Sequence, residues 1–299
     1  MKKQRIVIKV GTNVLQRPSS RLDYNVISDL GEEIAKIHHA GHEIVLVSSG
    51  AVGAGRESCS LNIKTAKAVS HVEKGAEIPS ERLMRQQVLA AVGQVRLMQI
   101  YSEFFHKQQI TTAQLLLTHA DFQHKYSYLN IRGTLEELLH FGVLPIVNEN
   151  DVISTEELEA NFGDNDQLAV YVAALLEADQ LFFLTVVPGL LTSSPGEEAQ
   201  IIDTVKNFDS SLLEHCFSER SSGGTGGMKS KVTAAAKAMS LGMDVHIMDG
   251  KKPSGIMNVL EGGRSGTKFV AYGNKLQSHE EYAKIMSLDS FEVVRKGEK

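Results

Sequence analysis

The chain has little of what builds disulfide scaffolds or metal centres. Its 299 residues include two cysteines, Cys59 and Cys216, too few for a disulfide framework or a four-thiolate site. The eleven histidines are scattered, and no His/Cys grouping has zinc spacing. His38, His39 and His42 cluster near a helix end, where a partly exposed face accounts for them. No apolar stretch is long enough to span a bilayer, because Leu181 to Leu191 contains Thr185, Pro188 and Gly189. Lys2, Lys3 and Arg5 precede an apolar run as in a secretion signal, but the run is brief and Lys9 interrupts it. With 31 basic residues against 36 acidic ones, the net charge of −5 argues against a strongly basic nucleic-acid surface. No fixed-period repeat and no low-complexity linker divides the chain. These absences leave a cytoplasmic α/β protein with neither a membrane nor a nucleic acid as partner.

What is present is alternation. Arg5 to Val10 reads as a buried strand ending in Gly11, and Asn25 to Ala40 then carries Val26, Ile27, Leu30, Ile34 and Ile37 at helical spacing. Glu43 to Val47 is the next strand. The pattern continues through helix Gln86 to Phe105, strand Thr111 to Leu117, helix Tyr126 to Phe141 and strand Leu144 to Asn148. It resumes with helix Asp166 to Leu176, strand Gln180 to Thr185, helix Lys229 to Leu241 and strand Val245 to Met248. Strands alternating with helices predict a largely parallel sheet covered on both faces. Ser58 to Glu81 and Thr192 to Gln200 read as surface excursions. The whole forms a single catalytic-sized unit.

In such sheets ligands gather at the carboxyl ends of the strands. The first strand ends in Lys9-Val10-Gly11-Thr12-Asn13, and the second in Ser48-Ser49-Gly50-Ala51-Val52-Gly53. Gly11, Gly50 and Gly53 allow main-chain N–H groups to converge on an anion at a helix start. Neither loop is a Walker A sequence, a dinucleotide fingerprint or a nucleophile elbow. A third strand end gives Asn148-Glu149-Asn150-Asp151, followed by Gly163-Asp164-Asn165-Asp166. This is either a solvated loop with Asp164 or Asn165 capping the next helix, or a site for an amino group with Asp151 and Asn165 as acceptors. Finally, Gly223-Gly224-Thr225-Gly226-Gly227-Met228-Lys229-Ser230-Lys231 runs into an alanine-rich helix. A lysine in a first turn opposes the helix dipole unless an anion compensates it. Lysines from distant parts of the chain, glycine loops and carboxylates suit phosphoryl transfer, where catalysis is mostly positioning and charge neutralisation.

Taken in order, these segments, with Leu89-Ala90-Ala91-Val92-Gly93-Gln94 between them, resemble the amino acid kinase family over nearly the whole chain. The Asn148 to Asp151 and Gly224 to Met228 segments are similar to its glutamate-phosphorylating branch. The resemblance implies a three-layer αβα sandwich around a mainly parallel sheet. It also implies phosphorylation of the side-chain carboxylate of L-glutamate with ATP, the first step of proline biosynthesis. It places glutamate against Ser49, Asp151 and Asn165, with Asn148 and Asp164 nearby. Lys9 and Lys231 become the phosphoryl-facing charges, and Asp166 holds them. ATP lies against Lys9, Gly11, Thr185, Gly224, Thr225, Gly226, Gly227, Met228 and Lys231. Mg2+ is carried by the nucleotide, with no protein metal site. Residues up to about 165 form the glutamate lobe and residues 166–299 the nucleotide lobe. Proline is implied as a feedback inhibitor, and a homo-oligomer as the assembly.

The chain departs from that family in three places. Where members usually carry Thr-Asp, it has Thr185-Val186, so ATP should bind less tightly than in a Val186→Asp variant. Ser58 to Glu81 is longer than usual. Many members continue into a C-terminal domain resembling RNA-modifying enzymes, and this chain reads as a short form without it.

Overall fold

The computed structural model describes residues 2–19, 21–58, 81–154, 165–193, 199–216, 227–272 and Glu281. Eight strands form one sheet: β1 (Arg5–Val10), β2 (Glu43–Ser48), β3 (Thr112–Leu117), β4 (Leu144–Glu149), β5 (Gln180–Thr185), β6 (Thr204–Val205), β7 (Asp244–Asp249) and β8 (Thr267–Phe269). Their order is β3-β4-β2-β1-β5-β7-β8-β6. Pairing is parallel except between β7 and β8. The helices are α1 (Thr12–Leu15), α2 (Tyr24–His39), α3 (Ala51–Ser58), α4 (Glu81–Lys107), α5 (His119–Gln123), α6 (Lys125–His140), α7 (Asn165–Leu175), α8 (Met228–Ser240) and α9 (Gly255–Leu260). A 3-10 turn spans Ser210–His215.

Two apolar cores sandwich the sheet. One joins Val7, Val45, Val147 and Phe183 to α6, α7 and α8; the other joins Ile6, Ile8, Leu46 and Ile146 to α1, α2, α4 and α9. Because side chains alternate along a strand, each strand end delivers one polar residue to a chosen face. Lys9 follows Val7 onto the α7/α8 side. Asn148 follows Leu144 and Ile146 onto the α2/α4 side, as Ser48 follows Ile44 and Leu46. β1 lies between β2 and β5, and the chain leaves it first to one side and later to the other, so its carboxyl end is the switch point where a cleft opens.

The strands and long helices lie where the sequence pattern places them, with ends shifted by a few residues. Short elements were missed. Gly53 and Gly55 disguise α3, and β6, β8 and α9 are too short to show periodicity. A Cβ on Gly93 would fall on the Ala51 carbonyl and the Gly55 backbone, and one on Gly55 would fall on the Leu89 carbonyl. These glycines let α3 and α4 touch backbone to backbone. Gly53 faces a different neighbour, the Gln16 side chain after α1, which occupies the place of its missing Cβ. Gly50 is the true turn residue, with φ of 108° at the β2–α3 junction. The expected exposure of His42 is corrected. It is 5% exposed, and its Nδ1 accepts the Gln4 N–H at 3.3 Å. Residues 59–80 and 194–198, most of the two expected excursions, lie outside the described residues. No helix among the described residues is long and apolar enough to cross a membrane.

Candidate active site

α7 is apolar nearly all round, and every residue from Asn165 to Leu175 except Gln167 is buried. A helix of that kind belongs inside the protein. Its two buried polar residues, Asn165 and Asp166, stand at its start, under the strand ends, and their side chains diverge.

Asp166 is fully buried. Its Oδ1 lies 2.6 Å from Lys9 Nζ, and its Oδ2 accepts from Lys231 Nζ at 3.0 Å. Ser230 Oγ donates to the same Oδ2 at 3.4 Å. Lys9 and Lys231 are 2% and 5% exposed. Ammonium groups this deep need a carboxylate partner, and removing one member of such a set typically costs about 3–5 kcal/mol. One carboxylate therefore fixes the separation of two lysines that are 222 residues apart in sequence. Lys9 Nζ lies 3.8 Å from the place a Cβ on Gly11 would take, so the ammonium borders the β1–α1 turn. Lys231 lies in the first turn of α8, and its backbone N–H donates to the Gly227 carbonyl at 3.4 Å. The anion expected to compensate a first-turn lysine is matched here by the carboxylate of Asp166.

Asn165 turns to the other side. Its Nδ2 donates to Ser49 Oγ at 2.8 Å and to Asn148 Oδ1 at 3.0 Å. Asn148 Oδ1 also accepts the Glu149 N–H at 2.9 Å, and Asn148 Nδ2 donates to Gln94 Oε1 at 2.9 Å. Beneath them, Ser48 Oγ and Tyr101 Oη share a hydrogen bond of 2.9 Å. Tyr101 stays undissociated, its pKa pushed up to about 12 by burial. Of the residues expected to contact substrate, Ser49, Asn148 and Asn165 are thus brought together. Asp151 lies in the turn after β4, half-buried. Glu149 departs from the picture of a cluster of solvated carboxylates: it is 9% exposed and accepts from Ser154 Oγ at 2.6 Å.

On the nucleotide side, Thr185 ends β5 and its carbonyl accepts the Gly250 N–H at 2.7 Å. Val186 is 45% exposed beside it. Gly227 precedes α8 with an extended backbone, and no atom of the described residues lies within 4 Å of the place of its Cβ. Asp164, Gly224, Thr225 and Gly226 lie outside the described residues. Sequence reasoning missed Gln94, Ser230 and Tyr101 as parts of the site. A glutamine or tyrosine within a long helix carries no spacing signal that separates it from an ordinary helix residue.

A buried two-lysine bridge beside a polar amide cluster, at the carboxyl edge of a parallel sheet, defines a phosphotransferase-type α/β protein. Residues 4–249 match the amino acid kinase family, and the chain belongs to that family. It is 39% identical to glutamate 5-kinase of Dehalococcoides mccartyi strain CBDB1 over 282 residues, which are 93% of this chain and 72% of that protein. It is 40% identical to glutamate 5-kinase of Deinococcus radiodurans over 281 residues, again 93% and 72%. The fold is similar to carbamate kinase from Giardia lamblia bound to AMP-PNP. The TM-score is 0.61 at 21% identity, with 91% of this chain and 99% of that one covered. UMP kinase from Ureaplasma parvum gives a TM-score of 0.58 at 17% identity, covering 90% and 100%.

Proposed function

We propose that this chain transfers the γ-phosphoryl group of ATP to the side-chain carboxylate of L-glutamate, giving L-glutamyl 5-phosphate and ADP. The observation that carries the proposal is the divergence of Asn165 and Asp166. Adjacent residues at one helix start organise an amide cluster suited to an amino acid and an ammonium pair suited to phosphates. The likeness to glutamate 5-kinases supports the choice of substrate.

In the reaction, a carboxylate oxygen of glutamate forms a bond to the γ-phosphorus while the bond from that phosphorus to the β–γ bridging oxygen breaks. The electron pair leaves with ADP. The attacking carboxylate is already ionised, so no general base is needed. Asp166 accordingly positions ammonium groups and takes no proton. Lys9 and Lys231 face the charge that spreads over the phosphoryl oxygens in a loose transition state. The first turns of α3 and α8 present positive helix ends to the same edge. Ammonium donors fit phosphate oxygens, which agrees with Mg2+ travelling on the nucleotide. When bound, the ion neutralises phosphate charge. Gly11, Thr185, Gly227 and Met228, with Gly224, Thr225 and Gly226, complete the proposed ATP site. Ser49, Asn148, Asp151, Asn165 and Asp164 complete that for glutamate. In this reading residues up to about 165, apart from Lys9 and Gly11, serve glutamate, and those from 166 onward serve ATP.

Proline shares an α-carboxylate and a cationic amine with glutamate, and it is inferred to compete at the same site as a feedback inhibitor in a cytoplasmic biosynthetic setting. Self-association is part of the same reading. Val88, Val92 and Val95 form an exposed apolar stripe on α4, and Leu116 is exposed on the edge strand β3. The deciding test is ATP consumption with glutamate, N-acetylglutamate and nucleoside monophosphates as acceptors. Turnover with glutamate alone is expected. Turnover with either alternative and none with glutamate overturns the assignment.

A further inference from the structure

The amide cluster has a direction, and one main-chain group sets it. The Glu149 backbone N–H can only donate, so the atom of Asn148 that it meets at 2.9 Å is Oδ1. Asn148 must then turn its Nδ2 towards Gln94, which receives it on Oε1 at 2.9 Å. On the other side, Asn148 Oδ1 accepts from Asn165 Nδ2 at 3.0 Å, and the second hydrogen of that nitrogen goes to Ser49 Oγ at 2.8 Å. Side-chain amides can be flipped in principle, but here each orientation follows from its neighbour and ultimately from the backbone.

Two polar atoms remain at the ends of this relay. Gln94 Nε2 and Asn165 Oδ1 are buried without a hydrogen-bond partner, on side chains of residues only 8% and 7% exposed. Buried polar groups in native proteins are nearly always satisfied, and these two orphans, unlike those of His246, flank the side chains gathered at the strand ends, where a ligand can supply their partners. Their chemistry is complementary: two N–H donors at one end and one carbonyl acceptor at the other. That is the demand of an amino acid's α-carbon, where a carboxylate seeks donors and an ammonium seeks acceptors. The scaffold holds Gln94 in place. The backbone contact of Gly93 with α3 draws α4 against the strand ends, and Tyr101, two turns on, is fixed to Ser48.

We propose that Gln94 Nε2 binds the α-carboxylate of the substrate while Asn165 Oδ1 accepts from its α-ammonium, so that Gln94 determines specificity for an α-amino acid. This rests on the reading of the chain as a glutamate-phosphorylating enzyme. The test compares three acceptors: glutamate, 4-aminobutyrate (which lacks the α-carboxylate) and glutarate (which lacks the ammonium). In Gln94→Met the preference for glutamate over 4-aminobutyrate, measured as kcat/KM, should fall about 10- to 100-fold, the scale of a lost charge-assisted hydrogen bond. The preference for glutamate over glutarate should stay within about threefold, because the ammonium contact is untouched. Gln94→Glu keeps the shape and the bond from Asn148 but sets an oxygen against the carboxylate. It should lower the first preference further, with KM for ATP unchanged, and it serves if the methionine variant fails to fold. If both preferences fall together, or neither moves, Gln94 does not read the α-carboxylate. A wild-type chain that phosphorylates none of the three overturns the functional reading itself, whereas an active wild type with insensitive variants overturns only the role of Gln94.

Discussion

Two sets of side chains at the same strand edge are held by opposite means. Lys9, Asp166 and Lys231 form a buried bridge held by two ion pairs on one carboxylate. Gln94, Asn148, Asn165 and Ser49 form a neutral relay in which every contact is a hydrogen bond of fixed direction. Alternation along the strands sends Lys9 to one face and Asn148 to the other, and α7 joins them through consecutive residues. On the proposed function, the difference follows from what each set would meet. Phosphoryl oxygens need charge placed where charge develops, and an ionic bridge holds it there before substrate arrives. A zwitterion needs one donor end and one acceptor end, which neutral amides supply without a net charge that would favour any passing anion.

If this division is right, the bridge and the relay should fail differently. The largest effect is expected in the bridge. Lys9→Met and Lys231→Met should each lower turnover by about 10²–10³-fold, with glutamate affinity little changed. Steady-state kinetics at a temperature where circular dichroism shows each variant folded checks this, and near-native turnover in either would make that lysine structural.

At the glutamate end, Asp151→Ala should weaken glutamate binding by about 1.5–3 kcal/mol, the worth of a charge-assisted partner for the ammonium. ATP binding should hold. Calorimetric titration separates the two, and unchanged glutamate affinity would remove Asp151 from the site.

His246 provides a control outside both sets. It is 3% exposed in β7, stacked on Phe182 at 4.9 Å, with neither ring nitrogen bonded. Burial, with a smaller contribution from the Lys268 charge, lowers its pKa to about 4. The folded state therefore binds this proton less readily than the unfolded chain does. Stability is fully present above the unfolded value near 6.5 and is lost as pH falls towards 4, by about 3 kcal/mol for this group. Urea denaturation at about pH 7 and about pH 4.5 should show a smaller difference in His246→Phe than in the wild type. Activity near neutral pH should be similar in both proteins. An equal acid sensitivity would mean that other groups dominate.

The smallest effect concerns Val186, which is exposed beside the end of β5. Val186→Asp should tighten ATP binding only a few-fold, on the scale of one hydrogen bond of about 1 kcal/mol. Titration of both proteins with ATP reads it directly, and equal affinities would show that the nucleotide is held elsewhere.

The bridge was far more legible in the sequence than the relay. Lys9 announces itself as a charge at the end of an apolar strand, and Lys231 as a cation in a helix turn that disfavours cations. Asp166 stands at the start of a helix with no other charge until Glu177. The two lysines break a local rule, and a broken rule is visible in one dimension; Asp166 obeys one, since a carboxylate suits a helix start, and only the resemblance to the family set it between the lysines. The relay breaks none. Gln94 sits in a long amphipathic helix where glutamine is ordinary, and Ser230 and Tyr101 are equally unremarkable in theirs. The placing of Gln94 and Tyr101 depends on backbone contact between α3 and α4, which only the three-dimensional packing of Gly55 and Gly93 reveals, and that of Ser230 on its hydrogen bond to Asp166. The two buried orphan atoms are likewise invisible until the hydrogen bonds around them are counted.

The division is tested most directly by single-turnover phosphoryl transfer at saturating ATP and glutamate, with wild type, Asn165→Ala and Lys231→Met measured side by side. Saturation removes differences in binding and leaves only the chemical step. The Asn165 variant should then transfer within about tenfold of wild type, while the Lys231 variant should be about 10²–10³-fold slower. Equal losses in the two, or a slower Asn165 variant, would contradict the separation of recognition by amides from turnover by charge.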